Sequence, residues 1–416
     1  MPLPLQTARP LKIALVHNTY QQPGGEDVVF DQECSNLARA GHQVVVYRRS
    51  NFEIDGLGAF GRAALPARSV WSRQSRRVFA ALLDRERPDI VHVHNTFVMI
   101  SPSIYSVCRK MGVPVVQTLH NFRLLCPAAT LYRQGAICED CIAGSLWSAV
   151  RHACYRNSRP ASATVALMLA AHRRLGTWRE SIDRYIALTA FSRQKFISAG
   201  FPPHKIMVKP NFVGQDPGPR AQTRDFAILI GRLTPEKGVA TLLDAWERLA
   251  GRCALEIVGD GPERPALEAR LRQRNISGVT FRGSLPRREV MALLKSARAL
   301  IAPSTWYEGF PMVIAEAFAC GTPVICSRLG ALQEIIADRV TGLHFTPGDP
   351  DDLARTVSWA WDSPDALAAM GRAARREYEQ RYTAEANYAL LINIYHQALA
   401  PALCTARALA HSAAVP

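Results

Sequence analysis

Short apolar runs separated by helix-length stretches recur along this chain, and the recurrence restarts once. In the first half, the apolar run 11–16 ends at a polar, Gly-containing loop, 17–25. A helical stretch over 26–40 follows, and Gly41 suits its end. Further β-rich runs lie at 43–47, 89–94, 113–118 and 184–189. A polar stretch bearing Pro and Gly, 211–224, has the composition of a linker. Beyond it the pattern begins again, with apolar runs at 226–230, 254–258, 279–282, 299–302 and 323–326. Strands joined by helices pair in parallel. The expected fold class is therefore α/β, with two Rossmann-like, doubly wound domains facing across a cleft. The first is expected over 1–215 and the second over 216–385; 386–416 reads as a helix packing back on the first domain and ending in a frayed tail. Ligands of such sheets bind beyond the carboxyl ends of the strands, so the cleft is the expected site. Residues 120–183 fit neither pattern and read as an insertion rich in Arg, Cys and Trp.

Charge narrows the classes of partner. Residues 1–215 hold 27 basic and 13 acidic side chains, and 216–416 hold 23 and 22, so nearly all of the net +15 lies in the first half. Such asymmetry points to a polyanion: a nucleic acid, an anionic membrane surface or a phosphorylated substrate. An Arg-rich base composition is the competing reading, but a uniform bias does not predict a lopsided excess. No nucleic-acid-reading element is recognisable, so nucleic acid is not the expected partner. No apolar stretch reaches the roughly 18–20 residues that span a bilayer. The N-terminus shows no basic segment ahead of an apolar run, so no signal peptide is expected. Ten cysteines in 416 residues are not a secretory disulfide framework. The expected location is cytoplasmic, with peripheral attachment to the inner membrane face.

Three segments of the second half carry chemistry. Residues 231–238, GRLTPEKG, follow a strand; Pro235 suits a first helical turn, and Arg232 and Lys237 add positive charge where backbone amides are free. Residues 258–262, VGDGP, form a second strand-to-helix turn in which glycine permits close backbone approach, to a ligand or within a plain tight turn. In the third, Glu308 precedes Gly309-Phe310-Pro311, and Glu316 lies eight residues on in an otherwise apolar helix. A carboxylate can accept two vicinal hydroxyls, as on a sugar or ribose, and one in apolar surroundings needs a partner.

These segments, with FRGSLPRREV at 281–290 and the continuation through CGTPVICS at 320–327, resemble the donor domain of retaining, GT-B-fold glycosyltransferases of family 4. Glu308-x7-Glu316 matches that family's signature. The resemblance extends over about 11–400 and implies a nucleotide-sugar donor. It implies that Arg232 and Lys237 neutralise the donor diphosphate, that Glu316 binds the ribose hydroxyls and that Glu308 contacts the transferred sugar. It implies that Gly309, Phe310 and Pro311 shape the sugar and phosphate pocket, that Gly261 belongs to the donor site, and that Arg282 and Gly283 border the nucleobase. Gly24 and Gly25 would close on the diphosphate from the other domain, and His120 matches the histidine beside the transferred sugar. Catalysis would need no metal cofactor. The triplet Asp349-Pro350-Asp351 could be read as a metal motif, but it reads better as a helix start with Asp349 as its cap.

Cys126, Cys138, Cys141 and Cys154 have the spacing of a structural zinc site, with His152 as a substitute ligand. Free buried thiols are the alternative. The apolar stretch 160–175 could lie on a membrane or be a buried core helix. Arg62, Arg68, Arg73, Arg76 and Arg77, interleaved with Trp71 and Phe79, suit an anionic surface that presents a lipid-linked acceptor. The expected enzyme is a retaining hexosyltransferase acting on a polyprenyl-diphosphate-linked glycan in surface polysaccharide synthesis. Its rival is a soluble glucan or disaccharide synthase of the same fold.

Overall fold

The computed structural model describes residues 9–22 and 24–412. The first half contains β1 (Lys12–Thr19), β2 (Gln43–Ser50), β3 (Ile90–Val93) and β4 (Val115–Leu119). A small hairpin follows, β5 (Tyr132–Arg133) and β6 (Ala136–Ile137), and then β7 (Arg184–Ala187) and β8 (Ile206–Val208). The second half contains β9 (Phe226–Ile230), β10 (Ala254–Val258), β11 (Val279–Gly283), β12 (Ala299–Ala302), β13 (Val324–Ser327) and β14 (Gly342–Phe345). The six-stranded sheets run β2-β1-β3-β4-β7-β8 and β11-β10-β9-β12-β13-β14. All their pairings are parallel. The strand order reverses between β1 and β3 in one sheet and between β9 and β12 in the other. Those two reversals are where a doubly wound sheet opens a crevice for a ligand.

The sequence explains the layers. Ile13, Ala14, Leu15 and Val16 are all buried, as a strand covered on both faces requires. The helix Val239–Leu249 buries Val239, Leu242, Leu243, Ala245, Trp246 and Leu249 on one stripe against the second sheet. Asp349 caps the helix Pro350–Asp362 by accepting from the backbone amides of Asp351 and Asp352, with Pro350 at its first turn.

The stretch 211–224 joins the two sheets without regular secondary structure, and it is held in place. Phe212 and Val213 are buried, Asn211 donates to the Phe310 carbonyl, and the amides of Val213 and Arg220 bond the carbonyls of Tyr382 and Cys320. The region 120–183 is the crossover from β4 to β7, and it shares the first domain's core. Its long helix, Arg159–Arg174, buries Val165, Ala166, Met168 and Leu169, and His172 bonds the Val70 carbonyl and the Thr177 hydroxyl. The apolar stretch 160–175 is thus a core helix, with Leu167 exposed. A crossover must cover the sheet it spans, which is why this helix is apolar.

The last helix, Ala384–Ser412, returns to the first sheet. Leu391, Ile392, Ile394 and Tyr395 pack with Leu11, Ile13, Leu15, Phe30 and Ile90. The expectation of fraying falls partly on 413–416, which lie outside the described residues. Leu391→Ala should cost about 2–5 kcal/mol in reversible chemical denaturation; a cost near zero would mean that this helix does not dock in solution.

Candidate functional site

The loops after β9 and β12 meet at the second sheet's reversal. Arg232, Lys237, Ser304, Glu308 and Pro311 line one small cavity there. Glycines bring the loop after β9 close to the loops after β12 and β10. Gly238 has φ +70°, and a Cβ on it would strike the Pro303 carbonyl; a Cβ on Gly261 would strike the Leu233 carbonyl. The close approach that Gly261 permits is therefore to the protein's own backbone.

Each carboxylate here is paired, as burial demands. Glu308 Oε1 accepts from Lys237 Nζ and from the Ser304 hydroxyl, both at 2.7 Å. Burial would raise its pKa, but the Lys237 ammonium and the Ser304 hydroxyl outweigh that and hold it below the ordinary range. Glu316, buried in the helix Met312–Cys320, accepts from Arg287 at 2.7 Å through Oε1. Arg287 is a partner that sequence reading missed; only the contact between neighbouring helices reveals it. Arg232 is exposed and has no carboxylate partner among the described residues. Lys237 is offset by Glu308, so Arg232 is the uncompensated charge of this cavity.

The first domain faces this site. A Cβ on Gly309 would lie 2.7 Å from the His120 carbonyl oxygen, so the donor loop runs against the end of β4. A Cβ on Gly25 would lie 3.3 Å from Met312 Cγ. The N-terminal ends of the helices Gly25–Arg39 and Met312–Cys320 therefore converge, and no side chain caps the second. Two such ends present free amides and positive dipole to an anion between them. The Tyr132 hydroxyl in the hairpin contacts the Thr305 hydroxyl at 3.1 Å, which ties the crossover region to the donor loop.

The Gly24 loop is braced by Asp27, which accepts from the Gly24 amide at 2.9 Å and lies 2.8 Å from His17 Nε2. Glu26 beside it accepts from Asn121 at 3.3 Å, and its other oxygen is buried without a partner. Burial, reinforced by Asp27, pushes the Glu26 pKa up to about 8. The sequence signalled neither Glu26 nor Asn121, although each adjoins a residue it did single out.

Other expected residues lie elsewhere. Arg282 is exposed on edge strand β11 and forms a two-bond pair with Glu256, at 2.6 and 2.9 Å. Gly283 has φ +67° and adjoins Arg264, and its carbonyl accepts from the Gly259 amide. Neither lines the cavity between Arg232 and Glu308. Phe310 is buried and stacks edge-on with Tyr382 at 5.5 Å, so it supports the loop from behind. Cys126, Cys138, Cys141 and Cys154 are free thiols of one region, and Cys141 lies beside Cys126, whose pKa falls to about 6 chiefly through that thiol. No three of the four sulfurs lie within 4.8 Å of one another, so as placed they do not form a zinc tetrahedron.

Glu26 gives the site a pH signature. Its folded pKa of about 8 lies above the ordinary 4.5, so between those values the folded chain holds a proton that the unfolded chain releases. This stabilisation is complete below 4.5 and is lost as pH rises through 8. Glu26 thus contributes a fall in melting temperature from pH 5 to 8, opposed below about 6.5 by buried histidines such as His94 and His120 with lowered pKa values, and Glu26→Gln should make the slope more positive than in the unaltered protein. An unchanged slope in the variant would assign the effect to another group.

Comparison with known proteins agrees with the geometry. Residues 24–211 match the family described as "Glycosyl transferase 4-like domain", and 215–377 match "Glycosyl transferases group 1". Over 153 residues the chain is 37% identical to a glycogen synthase of Mycobacterium tuberculosis, covering 36% of this chain and 37% of that protein. Over 173 residues it is 28% identical to O-antigen chain mannosyltransferase C of Escherichia coli, covering 41% and 46%. The chain thus matches less than half the length of these relatives. The solved structure of HepE from Anabaena with UDP-glucose superposes with a TM-score of 0.62 at 19% identity, covering 95% of this chain and all of that one. The two family models thus match consecutive parts of the chain, and the fold is the GT-B arrangement of its structural neighbours.

Proposed function

We propose that this chain is a retaining glycosyltransferase that moves a hexose from a nucleotide-diphosphate sugar to a membrane-presented glycan acceptor. The observation that carries the proposal is the convergence of Arg232, Lys237 and Glu308 at one strand-order reversal, against the end of β4 that carries His120 and beside two helix N-termini, with Glu316 on the second of those helices. A leaving diphosphate gains negative charge as the bond from sugar C1 to phosphate breaks. Arg232 and the free amides stabilise that charge, and Lys237, held near by Glu308, adds to it. Arg287 fixes one oxygen of Glu316 and leaves the other for ribose hydroxyls. The acceptor oxygen bonds to C1 on the face the phosphate leaves, and its proton passes to the departing phosphate oxygen. HepE, with UDP-glucose bound, supports the donor class.

A bound nucleotide stabilises only the folded state, by about 2.7 kcal/mol at a hundredfold excess over Kd. Among UDP, GDP, ADP and their sugar conjugates, one nucleotide should raise the melting temperature, and Arg232→Ala should lose that shift. A shift that survives in Arg232→Ala would remove Arg232 from the diphosphate site.

The acceptor side rests on charge. Arg62, Arg68, Arg73, Arg76 and Arg77 have no carboxylate partner among the described residues. Arg76 lies over the Trp71 ring at 5.2 Å, and Phe79 is buried beneath as core. On the helix Ala59–Val70, Phe60 is 93% exposed beside Arg62. No helix among the described residues is long and apolar enough to cross a membrane. This surface suits peripheral attachment to anionic lipid, and a lipid-linked oligosaccharide of surface polysaccharide is the acceptor proposed. The O-antigen mannosyltransferase supports that acceptor, whereas the glycogen synthase favours a soluble glucan or disaccharide synthase. Each arginine near an anionic surface contributes about 1 kcal/mol, so Arg62→Ser with Arg77→Ser should weaken co-sedimentation with anionic phospholipid vesicles roughly thirtyfold. Absence of vesicle binding in the unaltered protein would favour the soluble reading.

A further inference from the structure

Behind His120 lies a chain of buried polar side chains that the donor site does not use. Glu33, on the helix Gly25–Arg39, and Lys209, just after β8, are each 1% exposed, and Lys209 Nζ lies 2.5 Å from Glu33 Oε1. Lys209 also donates to Asn387 Oδ1 at 3.2 Å. The other Glu33 oxygen, Oε2, lies 3.2 Å from His94 Nε2 and 3.6 Å from His92 Nδ1. His92 is committed elsewhere: its Nδ1 is 2.8 Å from the Tyr395 hydroxyl and its Nε2 is 2.7 Å from the Thr118 hydroxyl. Glu33 Oε2 and His94 Nε2 are both buried and neither makes an aligned hydrogen bond among the described residues, so at 3.2 Å the contact between them is an electrostatic one. Finally, His94 Nδ1 lies 2.9 Å from His120 Nε2, and the two rings stack with centroids 5.0 Å apart.

Glu33, His92 and His94 have the spacing of a metal site. The cation already present is Lys209, and both nitrogens of His92 are occupied, so the cluster is better described as a proton chain. Its direction follows from donor and acceptor counting. An ionised carboxylate only accepts, so the proton between Glu33 and His94 belongs to His94 Nε2. In a neutral ring, His94 Nδ1 then carries the lone pair, and His120 Nε2 must supply the proton between the two histidines. His120 Nδ1 is left with a lone pair. The charges agree with this assignment. Burial would raise the Glu33 pKa, but Lys209 and His94 pull it well below the ordinary range. Burial, with the neighbouring histidines and Lys209, outweighs the pull of Glu33 and pushes the pKa values of His94 and His120 down. His17, the other ring facing His94, lies 6.3 Å away and bonds Asp27.

We propose that Glu33 and His94 are positioning residues that hold His120 as the neutral tautomer protonated on Nε2, so that its free nitrogen, Nδ1, acts as a hydrogen-bond acceptor. The consequence for the donor rests on the reading of His120 as the histidine beside the transferred sugar. There it accepts from a sugar hydroxyl, and it would not favour a donor whose corresponding group can only accept.

Labelling the histidine rings with nitrogen-15 and recording long-range proton–nitrogen correlations reads the tautomer directly. In the unaltered protein, His120 should carry its proton on Nε2 alone and stay neutral between about pH 5.5 and 8. In His94→Phe, His120 should show mixed tautomers or titrate within that range. A purely structural role for His94 would lower the melting temperature and leave the tautomer unchanged. A proton on Nδ1 in the unaltered protein overturns the proposal, even if the variant does not fold. An unchanged tautomer in a folded His94→Phe also overturns it. Separately, if no nucleotide sugar raises the melting temperature of the unaltered protein, the donor reading fails while the tautomer assignment stands.

Discussion

In a parallel sheet every strand must be reached by a crossover, so the loops that follow the strands all emerge at one edge. This constraint organises the whole molecule. It brings the loops after β9 and β12 together at one reversal and the loops after β1, β3 and β4 together at the other. The last helix returns across the gap to the first sheet, and 211–224 is pinned to the second, so the two edges face each other. Contacts between the Gly309 loop and His120, and between Gly25 and Met312, are products of that geometry.

A second requirement follows from placing charge in this cleft. A carboxylate removed from water needs a cation or strong donors. Glu308 has Lys237 and Ser304, Glu316 has Arg287, and Glu33 has Lys209 with His94. Glu26 accepts from Asn121, but burial beside Asp27 outweighs that and Arg123, and its pKa rises. The paired carboxylates are held in fixed orientations, which is what reading a hydroxyl requires. The same pairing reduces the free positive charge of the donor cavity to Arg232 and the helix ends. The Glu33 network joins the first helix, β3, β8 and the last helix, so the histidine at the site is supported by four distant parts of the chain.

The fold was legible because its signals are local. Runs such as 226–230 and 254–258 became strands at those positions, and the turn at Gly41 and the cap at Asp349 are visible in a few consecutive residues. The sequence does not signal β8 or the hairpin β5–β6, which are only two or three residues per strand, or β14, whose Gly-Leu-His-Phe is not a continuous apolar run. The donor residues were legible through the resemblance of consecutive motifs. Arg282 is placed near the nucleobase by its motif alone, and the structure adds that its side chain pairs with Glu256 on the adjoining strand. The apolar stretch 160–175 was ambiguous because a core helix and an interfacial helix have the same composition.

What the sequence by itself determined is the alternation of strand and helix, the division into two wound domains, the excess of positive charge in the first, and the residues of the donor loops. Each depends on residues near one another in the chain. What only the tertiary structure decided is which charges meet. Lys209 and Glu33 are 176 residues apart, Tyr395 and His92 303 apart, and Lys237 and Glu308 71 apart. No local pattern encodes such pairs. They arise because burial forces each polar group to find a partner among whatever the crossovers bring alongside it.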